Sequence, residues 1–351
     1  MWRCERWLGS RRSATAAELL RAAADALAAD ARPDRYGEGA VVEAFERRIA
    51  DVLGKDAAVL MPSGTMAQQI ALRIHCDRRG VDTVAFHPTC HLELHEHAGY
   101  AHLHGLKAEL VGARDRLIEL ADLEGLHARI GALLIELPQR EIGGRLPEWE
   151  DLLGQIEWAQ SRGAATHLDG ARIWESAPYY GRDPASIAAL FDTVYVSLYK
   201  GLGGIAGSVL AGPHDVVDQA RVWRRRHGGT LSNLFPFAAA AQPGLDAVAA
   251  RMPRFLDHAR ALAATLGEVP GVSIVPDPPQ TPLFHVHLRG DRDVLWERML
   301  DQAQAHGVWL ANRLELSVVP HSSKLELNIG EPALEISPKE AAELLAAVVA
   351  N

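Results

Sequence analysis

One lysine stands where an apolar stretch gives way to glycines. In "SLYKGLGG", residues 197–204, Lys200 follows directly on the predicted strand "TVYVSLY". An amine at a strand end is partly removed from water, which favours its neutral form, and the glycines let a ligand approach the backbone closely. The segment favours a nucleophilic lysine able to form a Schiff base, although lysines at strand ends are also common as ordinary surface residues.

A carboxylate lies at the end of another predicted strand. In "HLDGARIW", residues 167–174, Asp169 closes the apolar run "ATHLD". Ligands of an open parallel sheet lie beyond the carboxyl ends of the strands, where both Asp169 and Lys200 fall. The pair has two interpretations. It is either a buried ion pair or a pyridoxal phosphate site, with the lysine on the aldehyde and Asp169 keeping the ring nitrogen protonated.

A third segment favours the pyridoxal phosphate interpretation. "MPSGTMAQQIAL", residues 61–72, runs from a strand through Ser63, Gly64 and Thr65 into a helix. The N–H groups at such a helix start form a cradle for an anion such as a phosphate monoester. Alone, this pattern is also that of an ordinary helix cap. All three segments fall at predicted strand ends, and together they predict a pyridoxal phosphate site.

The segment "CHLELHEH", residues 90–97, raises the competing possibility of a metal site. It contains His91, Glu93, His95 and His97 within one predicted helix around residues 91–103. Only positions three or four apart are neighbours on a helix, so these four side chains do not converge on one ion. We therefore expect no metal, with a metal-dependent hydrolase kept as a competing hypothesis. We expect His95 and His97 to be polar residues of that helix.

The elements that position these residues alternate between helices and short apolar strands. A helix from Val41 is expected to end at Gly54, and helices are predicted around 65–76, 91–103 and 148–161. Strands that are apolar on both faces and separated by helices indicate a mostly parallel sheet covered on both sides. The predicted strands are "AAVLM", "DTVAF", "LKAELV", "ALLIEL", "ATHLD", "TVYVSLY" and "GSVLAG".

The pattern changes after "HGGTLSNLFP", residues 227–236. An Ala-rich helix follows, and then strands "VSIV", "LFHVHL" and "KLELNI", a helix "DVLWERMLDQAQAHG" and a closing helix from Pro338. We therefore predict an N-terminal helical arm over residues 1–35, a large cofactor-binding α/β domain over 36–236 and a small α+β domain over 237–351.

Composition limits the class of partner. The 351 residues include 36 basic and 45 acidic side chains, and this net charge of −9 disfavours nucleic acid or an anionic membrane. The three cysteines have no CxxC spacing, which predicts reduced thiols in the cytoplasm. No apolar run reaches the length of a membrane span. A small-molecule substrate is the expected ligand.

The order of five segments resembles one enzyme family. "YGEG", "LMPSGTMAQ", "HLDGAR", "SLYKGLGGIAGSVLAG" and "RVWRRRHGG", which extend over residues 36 to about 235, resemble the low-specificity threonine aldolases. These belong to the β-eliminating lyase relatives of the aspartate aminotransferase fold, fold type I of the pyridoxal phosphate enzymes. The resemblance implies a three-layer large domain and a homodimer or homotetramer. It also implies that a β-hydroxy-α-amino acid is cleaved to glycine and an aldehyde.

The resemblance also implies roles for individual residues. Lys200 matches the lysine that holds the cofactor, and His91 matches a histidine over its ring that positions or accepts the substrate proton. Arg172 matches a residue that grips the substrate carboxylate, and Arg224 matches one near the cofactor phosphate; each is alternatively a solvated surface residue. Tyr36, in "RYGEG", lies in the segment that completes the site of a second subunit.

Three departures from the family put the substrate in question. The start of the chain is an Arg- and Ala-rich segment in place of a short substrate-site segment. "ELPQREIGG" places Pro138 and Gln139 where the family has an asparagine and a second histidine. Glu326 or a neighbour stands near the place of a carboxylate-binding arginine, so we expect Arg140 or Arg313 to substitute, or the substrate to differ from threonine.

Two further functional hypotheses remain open at this point. One is another pyridoxal phosphate reaction, such as β-elimination, on a different amino acid. The other is a binding or regulatory protein that keeps the cofactor pocket without turnover. The products formed from an amino acid separate the first from an aldolase, and a yellow protein that processes no amino acid would support the second.

Overall fold

The computed structural model describes residues 4–350 and divides the chain into two compact units. The large unit contains residues 16–139 and 146–248. The small unit contains the residues before 16, residues 140–145 and those from 249 onward. The sequence predicts boundaries after residues 35 and 236, whereas the two units change over after residues 15 and 248, with a short excursion at 140–145.

Thirteen strands are present in the described part of the chain. They are β1 (Arg6–Trp7), β2 (Ala57–Met61), β3 (Thr83–Phe86), β4 (Lys107–Leu110), β5 (Ala132–Glu136), β6 (Ala165–Asp169), β7 (Thr193–Ser197), β8 (Ser208–Gly212), β9 (Val272–Val275), β10 (Leu283–Arg289), β11 (Val308–Trp309), β12 (Glu315–Leu316) and β13 (Ser322–Asn328).

The described residues also form thirteen α-helices and two 3-10 helices, Arg140–Ile142 and Glu331–Glu335. The α-helices are α1 (Ala16–Asp25), α2 (Ala40–Leu53), α3 (Gly64–Arg79), α4 (His91–His95), α5 (Gly99–His104), α6 (Leu120–Glu124), α7 (Trp149–Ser161), α8 (Ile173–Tyr180), α9 (Pro184–Ala188), α10 (His214–Arg226), α11 (Phe235–Gly267), α12 (Arg292–His306) and α13 (Pro338–Val349).

The large unit is built around a seven-stranded sheet of order β2-β8-β7-β6-β5-β3-β4. Strand β8 runs antiparallel to both of its neighbours, and the other pairs are parallel. Strands β5, β6, β7 and β8 are buried at every residue, as expected for a sheet covered by helices on both faces. The predicted mostly parallel α/β fold is therefore confirmed.

Alternation along β2 shows how the helices cover the two faces of this sheet. Val59 and Met61 join a buried cluster with α3 and α10, while the intervening Leu60 points to the opposite face. Helix α2 contacts β2 as well, and Gly54 ends that helix in the left-handed conformation at φ 60°, as its position in the sequence predicts. The local sequence therefore determines where α2 ends and where β2 lies: Gly54 ends the helix, and the apolar run forms the strand.

The small unit is an α+β structure, as predicted. Its four-stranded antiparallel sheet has the order β12-β13-β10-β9, and a two-stranded parallel ribbon pairs β1 with β11. Burial alternates along β13, with Ser323, Leu325 and Leu327 buried and the residues between them partly exposed. This period of two is that of a sheet with one face on a core.

Two predicted helices are shorter than expected. Within residues 4–35, only α1 is an α-helix, and Arg6–Trp7 form a strand instead; residues 1–3 of the predicted arm lie outside the described residues. The predicted helix over 91–103 is divided into α4 and α5, because His97 and Ala98 both adopt positive φ angles, 50° and 52°. The expectation that His97 is a helical residue was therefore wrong.

Candidate active site

Three neighbouring strands end at one edge of the large sheet. Glu136 and Asp169 are the last residues of β5 and β6 and are paired in register, and Asp169 is paired in turn with Tyr195 on β7. Lys200 follows the end of β7 by three residues, in a turn, and is half-buried. The predicted placement of Asp169 and Lys200 beyond adjacent strand ends therefore agrees with the observed topology.

The turn that carries Lys200 depends on its glycines. Gly203 N donates to Lys200 O at 3.1 Å, and Gly204 N donates to Leu198 O at 2.7 Å. A side chain at residue 204 would bring its Cβ to 2.8 Å from Leu198 O, which is too close for any residue except glycine. The turn therefore holds the lysine at a fixed place after the strand.

Asp169 is a buried carboxylate with a donor on each oxygen. It is 2% exposed, its Oδ1 accepts from Ala171 N at 3.0 Å, and its Oδ2 accepts from Gln68 Nε2 at 2.9 Å. Burying a carboxylate is costly unless such partners compensate. The position therefore suits a fixed negative charge at the end of a strand.

Helix α3 begins directly after β2 and supplies unused amides. Ser63 is the N-cap and accepts from Met66 N through Oγ at 3.3 Å, and the first intrahelical bond runs from Ala67 N to Ser63 O. Within residues 4–350 the N–H groups of Gly64 and Thr65 have no hydrogen-bond acceptor. They are the donors that an anion at a helix N-terminus would use.

Gly64 also brings α3 against the neighbouring strand. A Cβ at this residue would lie 2.2 Å from the Tyr195 hydroxyl oxygen and 2.6 Å from Tyr195 Cζ. Burial, and secondarily the negative charge of Asp169, raises the pKa of Tyr195 well above its ordinary value, so this phenol remains neutral. The glycine is therefore required for close packing as well as for the start of the helix.

Arg224 contacts the end of β2, the strand that leads into this helix. Its guanidinium donates to Leu60 O at 2.7 Å and to Tyr36 O at 3.5 Å, and its side chain is buried. Burial lowers its pKa from the ordinary arginine value. A solvated helix face, the alternative for Arg224 from sequence, is therefore wrong.

The segment around Tyr36 is held by an aspartate that the sequence analysis did not identify. Asp34 accepts from Gly37 N through Oδ2 and from the backbone amides of Leu234 and Phe235 through Oδ1, each at 2.8 Å. Tyr36 itself has φ 57° and is 46% exposed. The Asp-x-x-Gly spacing, which is typical of a turn closed by an aspartate, was the available signal.

His91 starts α4 and contacts two carboxylates, one through its ring and one through its backbone. Its Nδ1 lies 3.0 Å from Glu96 Oε1, and its backbone N–H donates to Glu136 Oε2 at 3.3 Å. Glu96 is almost completely buried and accepts a second hydrogen bond from Gln69 Nε2 at 3.0 Å. With a proton on Nδ1 directed at Glu96, the lone pair of His91 is on Nε2.

Arg172 and Gln139 are two further buried residues of the large unit near this edge of the sheet. Arg172 is 9% exposed and its Nε lies 3.7 Å from Glu175 Oε2, so the surface alternative for Arg172 is wrong as well. Gln139 donates to Glu136 Oε2 at 3.4 Å and to Thr89 Oγ1 at 3.2 Å. It thereby joins the hydrogen-bond network of Glu136.

The two arginines considered as substitutes in the carboxylate clamp both lie in the small unit. Arg140 pairs with Glu326 through Nε at 2.8 Å and with Glu141 through one terminal nitrogen at 2.8 Å. Arg313 pairs with Glu315 at 2.8 Å and its side chain is 60% exposed. Arg140 is thus paired with the residue that stands near the expected arginine position.

The histidine-rich segment gathers no set of metal ligands. Within the described residues 4–350, no group of three or more His, Cys, Asp or Glu side chains is placed to hold a metal ion. His95 packs its ring 5.1 Å from that of His91. Cys90 is fully buried, and burial followed by the charges of Glu136 and Asp169 raises its pKa well above the ordinary value, which leaves a neutral thiol.

These residues fit pyridoxal phosphate. The unused amides of Gly64 and Thr65 suit the phosphate, and the buried, doubly hydrogen-bonded carboxylate of Asp169 suits a pyridinium nitrogen. Fold and site together define a pyridoxal phosphate-dependent enzyme of fold type I. The chain belongs to the beta-eliminating lyase family, whose sequence profile matches residues 12–289.

Known proteins of this kind are similar along most of the chain. A proposed aromatic amino acid beta-eliminating lyase/threonine aldolase from Exiguobacterium sp. 255-15 is 39% identical, with a TM-score of 0.93 over 99% of this chain and 97% of that one. A proposed L-allo-threonine aldolase from Listeria monocytogenes is 38% identical, with a TM-score of 0.92 over 99% and 96%. The low specificity L-threonine aldolase of Escherichia coli K12 is 32% identical over 73% of this chain and 78% of its own.

Proposed function

We propose that this protein is an aldolase that cleaves the Cα–Cβ bond of a threonine-like β-hydroxy-α-amino acid, giving glycine and an aldehyde. The likeness to the Listeria and Escherichia coli proteins, both described as threonine aldolases, supports this substrate class. The observation that carries the proposal is the pair formed by His91 and Glu96, which supplies an oriented base at the edge where Asp169 ends its strand.

We assign the cofactor contacts as follows. Ser63, Gly64 and Thr65 would hold the phosphate together with Arg224, Asp169 would pair with the ring nitrogen and Lys200 would hold the cofactor through its aldehyde. When bound, the conjugated ring of pyridoxal phosphate accommodates the negative charge that develops at the substrate α-carbon. The fixed negative charge of Asp169 favours the protonated ring nitrogen that this chemistry needs.

His91 moves the substrate proton in this scheme. Cleavage requires a base to take the proton of the β-hydroxyl group, and His91 Nε2 has the lone pair for it. Glu96, through Nδ1, orients the ring and stabilises the imidazolium that results. Because Glu96 is buried, its charge acts on the imidazole with little screening by water.

Arg172 is the proposed ligand of the substrate carboxylate. A guanidinium offers two parallel donors to a carboxylate, and burial strengthens such a contact. Arg313, whose guanidinium pairs with Glu315, stays a prediction for a further substrate contact. The KM of variants at both arginines tests these assignments.

We propose a homodimer or homotetramer in the cytoplasm. Tyr36 exposes 46% of its surface although its segment is anchored by Asp34 and Arg224, which suits a side chain that a second subunit covers. All three cysteines are free thiols, which supports a reducing compartment. Among residues 4–350, no helix has the length and apolarity needed to cross a membrane.

The decisive experiment compares products. Purified protein supplied with pyridoxal phosphate and L-threonine or L-allo-threonine is expected to release glycine and acetaldehyde, and Lys200→Ala is expected to abolish both the release and the visible absorbance of the lysine-bound cofactor. Release of ammonia and a keto acid in their place would identify β-elimination. A coloured protein that converts no amino acid would support a binding role.

β-Elimination is the second candidate function. The Exiguobacterium protein is described by both activities, and Gln139 takes the place where the threonine aldolase pattern has a second histidine. A glutamine amide does not accept a proton at neutral pH, so His91 would have to serve as the base without a second imidazole. Substrates with a β-leaving group therefore belong in the same product assay.

A further inference from the structure

Gln68 is a buried glutamine whose amide nitrogen forms a hydrogen bond and whose carbonyl oxygen forms none with the described residues. It is 1% exposed on α3, and its Nε2 donates to Asp169 Oδ2 at 2.9 Å. Its Oε1 is also buried, yet among residues 4–350 it has no hydrogen-bond donor. A methionine of the same shape would avoid the desolvation of that carbonyl, so burial alone does not explain an amide here.

The contact with Asp169 fixes the orientation of this amide. An N–H group facing a carboxylate is attracted, whereas a carbonyl oxygen in the same place would be repelled. Oε1 accepts no hydrogen bond from the described residues, so no contact at that end favours the flipped amide. The side chain is thus held by the negative charge of Asp169, and in return it holds that carboxylate.

The two donors on Asp169 act together. Ala171 N bonds to Oδ1 and Gln68 Nε2 bonds to Oδ2, so rotation of the carboxylate would break one or both bonds. The groups around it are Glu136 and Tyr195 in register on the flanking strands, together with buried Cys90 and His167. Gln68, and not one of these groups, is the side chain that donates to Oδ2.

Helix α3 links this contact to the anion cradle. Gly64 and Gln68 are four residues apart and therefore lie on the same face of the helix. One face of α3 thus presents the free amide of Gly64 at its start and the donor to Asp169 one turn later. The positions of these two groups are fixed relative to each other by the helix.

We propose that Gln68 is a positioning residue that acts through Asp169 to keep the ring nitrogen of pyridoxal phosphate protonated. This inference rests on the proposed contact between Asp169 and that nitrogen. Gln68 touches no reacting atom; it fixes the plane of the carboxylate and so the direction of its charge.

Two variants and one matched control test this role. Gln68→Met keeps the shape and removes the donor, and Gln68→Glu keeps the length. Gln155→Met removes another buried side-chain amide, on α7, which donates to Ile118 O at 2.8 Å. Cofactor-free protein is titrated with pyridoxal phosphate by tryptophan fluorescence, and the ring nitrogen of ¹⁵N-labelled cofactor is followed by NMR.

Gln68→Met is expected to bind pyridoxal phosphate about tenfold more weakly, and the ¹⁵N signal is expected to move toward that of an unprotonated ring. Gln68→Glu is expected to be equally weak at alkaline pH. It should regain affinity as the pH falls, because a protonated carboxyl at this position restores a donor to Asp169. Gln155→Met should match the wild type in both measurements.

The proposal is overturned by wild-type affinity and an unchanged ¹⁵N signal in Gln68→Met. If that variant does not fold, a pH-independent defect in Gln68→Glu overturns it instead. Neither measurement involves turnover. A protein that passes both tests but cleaves no β-hydroxy amino acid would therefore refute the proposed function and leave the role of Gln68 intact.

Discussion

Glu96 Oε1 lies 3.0 Å from His91 Nδ1, and the same buried carboxylate accepts from Gln69 through its other oxygen. One acid therefore connects helix α3 to the ring that begins α4. The Gln69 side chain packs directly against the backbone of Gly99, where a Cβ would lie 2.5 Å from Gln69 Nε2. The orientation of His91 is thus a property of packing as well as of charge.

Replacing Glu96 by glutamine is expected to reduce kcat by about tenfold to a thousandfold, because an amide stabilises the imidazolium less than a carboxylate does. Initial rates at saturating substrate provide the measurement. Glu93→Gln, on α4 three residues earlier, is the matched control, since a glutamine carbonyl still accepts from Tyr100 Oη. Equal rates for Glu96→Gln and the wild type would contradict the proposed role of the pair.

Gly64→Ala is expected to weaken cofactor binding and to lower the free energy of unfolding by about 1–3 kcal/mol, because the new Cβ would overlap Tyr195. Denaturant melts of cofactor-free protein measure the second effect. Gly154→Ala, inside α7, is the control. Its new Cβ would have Leu120 as its nearest neighbour, at an ordinary contact distance of 3.6 Å. That change is expected to stabilise the protein by about 0.5–1 kcal/mol.

Acid is expected to destabilise the large unit through two buried histidines. Burial lowers the pKa of His75 and of His167 to about 3 from an ordinary 6.5. Between these values the unfolded chain binds protons that the folded chain does not. The free energy of unfolding therefore falls as the pH falls from 6.5 toward 3, by up to about 1.4 kcal/mol per pH unit for each histidine.

Unfolding at several pH values tests this expectation. His75→Gln, which keeps a polar group beside Thr193, should have a shallower dependence on pH in that window. His102→Gln, at an exposed position of α5, should leave the slope unchanged. A wild-type stability that is constant from neutral pH down to pH 4 would show that these histidines are not neutral in the folded protein.

Arg172→Lys is expected to raise KM for the amino acid by about tenfold, since an ammonium lacks the two parallel donors of a guanidinium. Steady-state kinetics measure the change. The sequence-based assignment of Arg313 predicts a comparable rise for Arg313→Ala. Arg162→Lys, where the guanidinium lies over Trp158, is the control and should have no effect on KM.

Much of the fold could be predicted because the large sheet has strands that are buried on both faces. Such strands are short apolar runs, and each predicted run corresponds to an observed strand. The break between α4 and α5 could not be predicted, because positive φ is uncommon outside glycine and alanine has no preference for it, although His97 is of a type that adopts it more often. The packing of Gln69 against Gly99 becomes visible only in three dimensions.

Within the candidate site, what could be predicted is the position of a residue just beyond a strand end, as for Asp169, Lys200 and Ser63. Glu96 could not, since residues five apart are not neighbours on a regular helix and its contact with His91 depends on the irregular turn that follows α4. Gln68 could not either, because its partner is distant in sequence. The burial of Arg172 and Arg224 likewise follows from tertiary packing.

The hydroxyl of Thr193 lies 2.8 Å from a ring nitrogen of both His75 and His167. A hydroxyl carries a single hydrogen and two lone pairs, so it can donate to at most one of these imidazoles and accepts from at least one. When the hydroxyl donates to one ring, the two histidines have opposite protonation states at the nitrogens facing Thr193, and exchanging those roles requires both to change tautomer together. Neutron diffraction would locate that shared hydrogen, and Thr193→Val would leave the two imidazoles without their common partner.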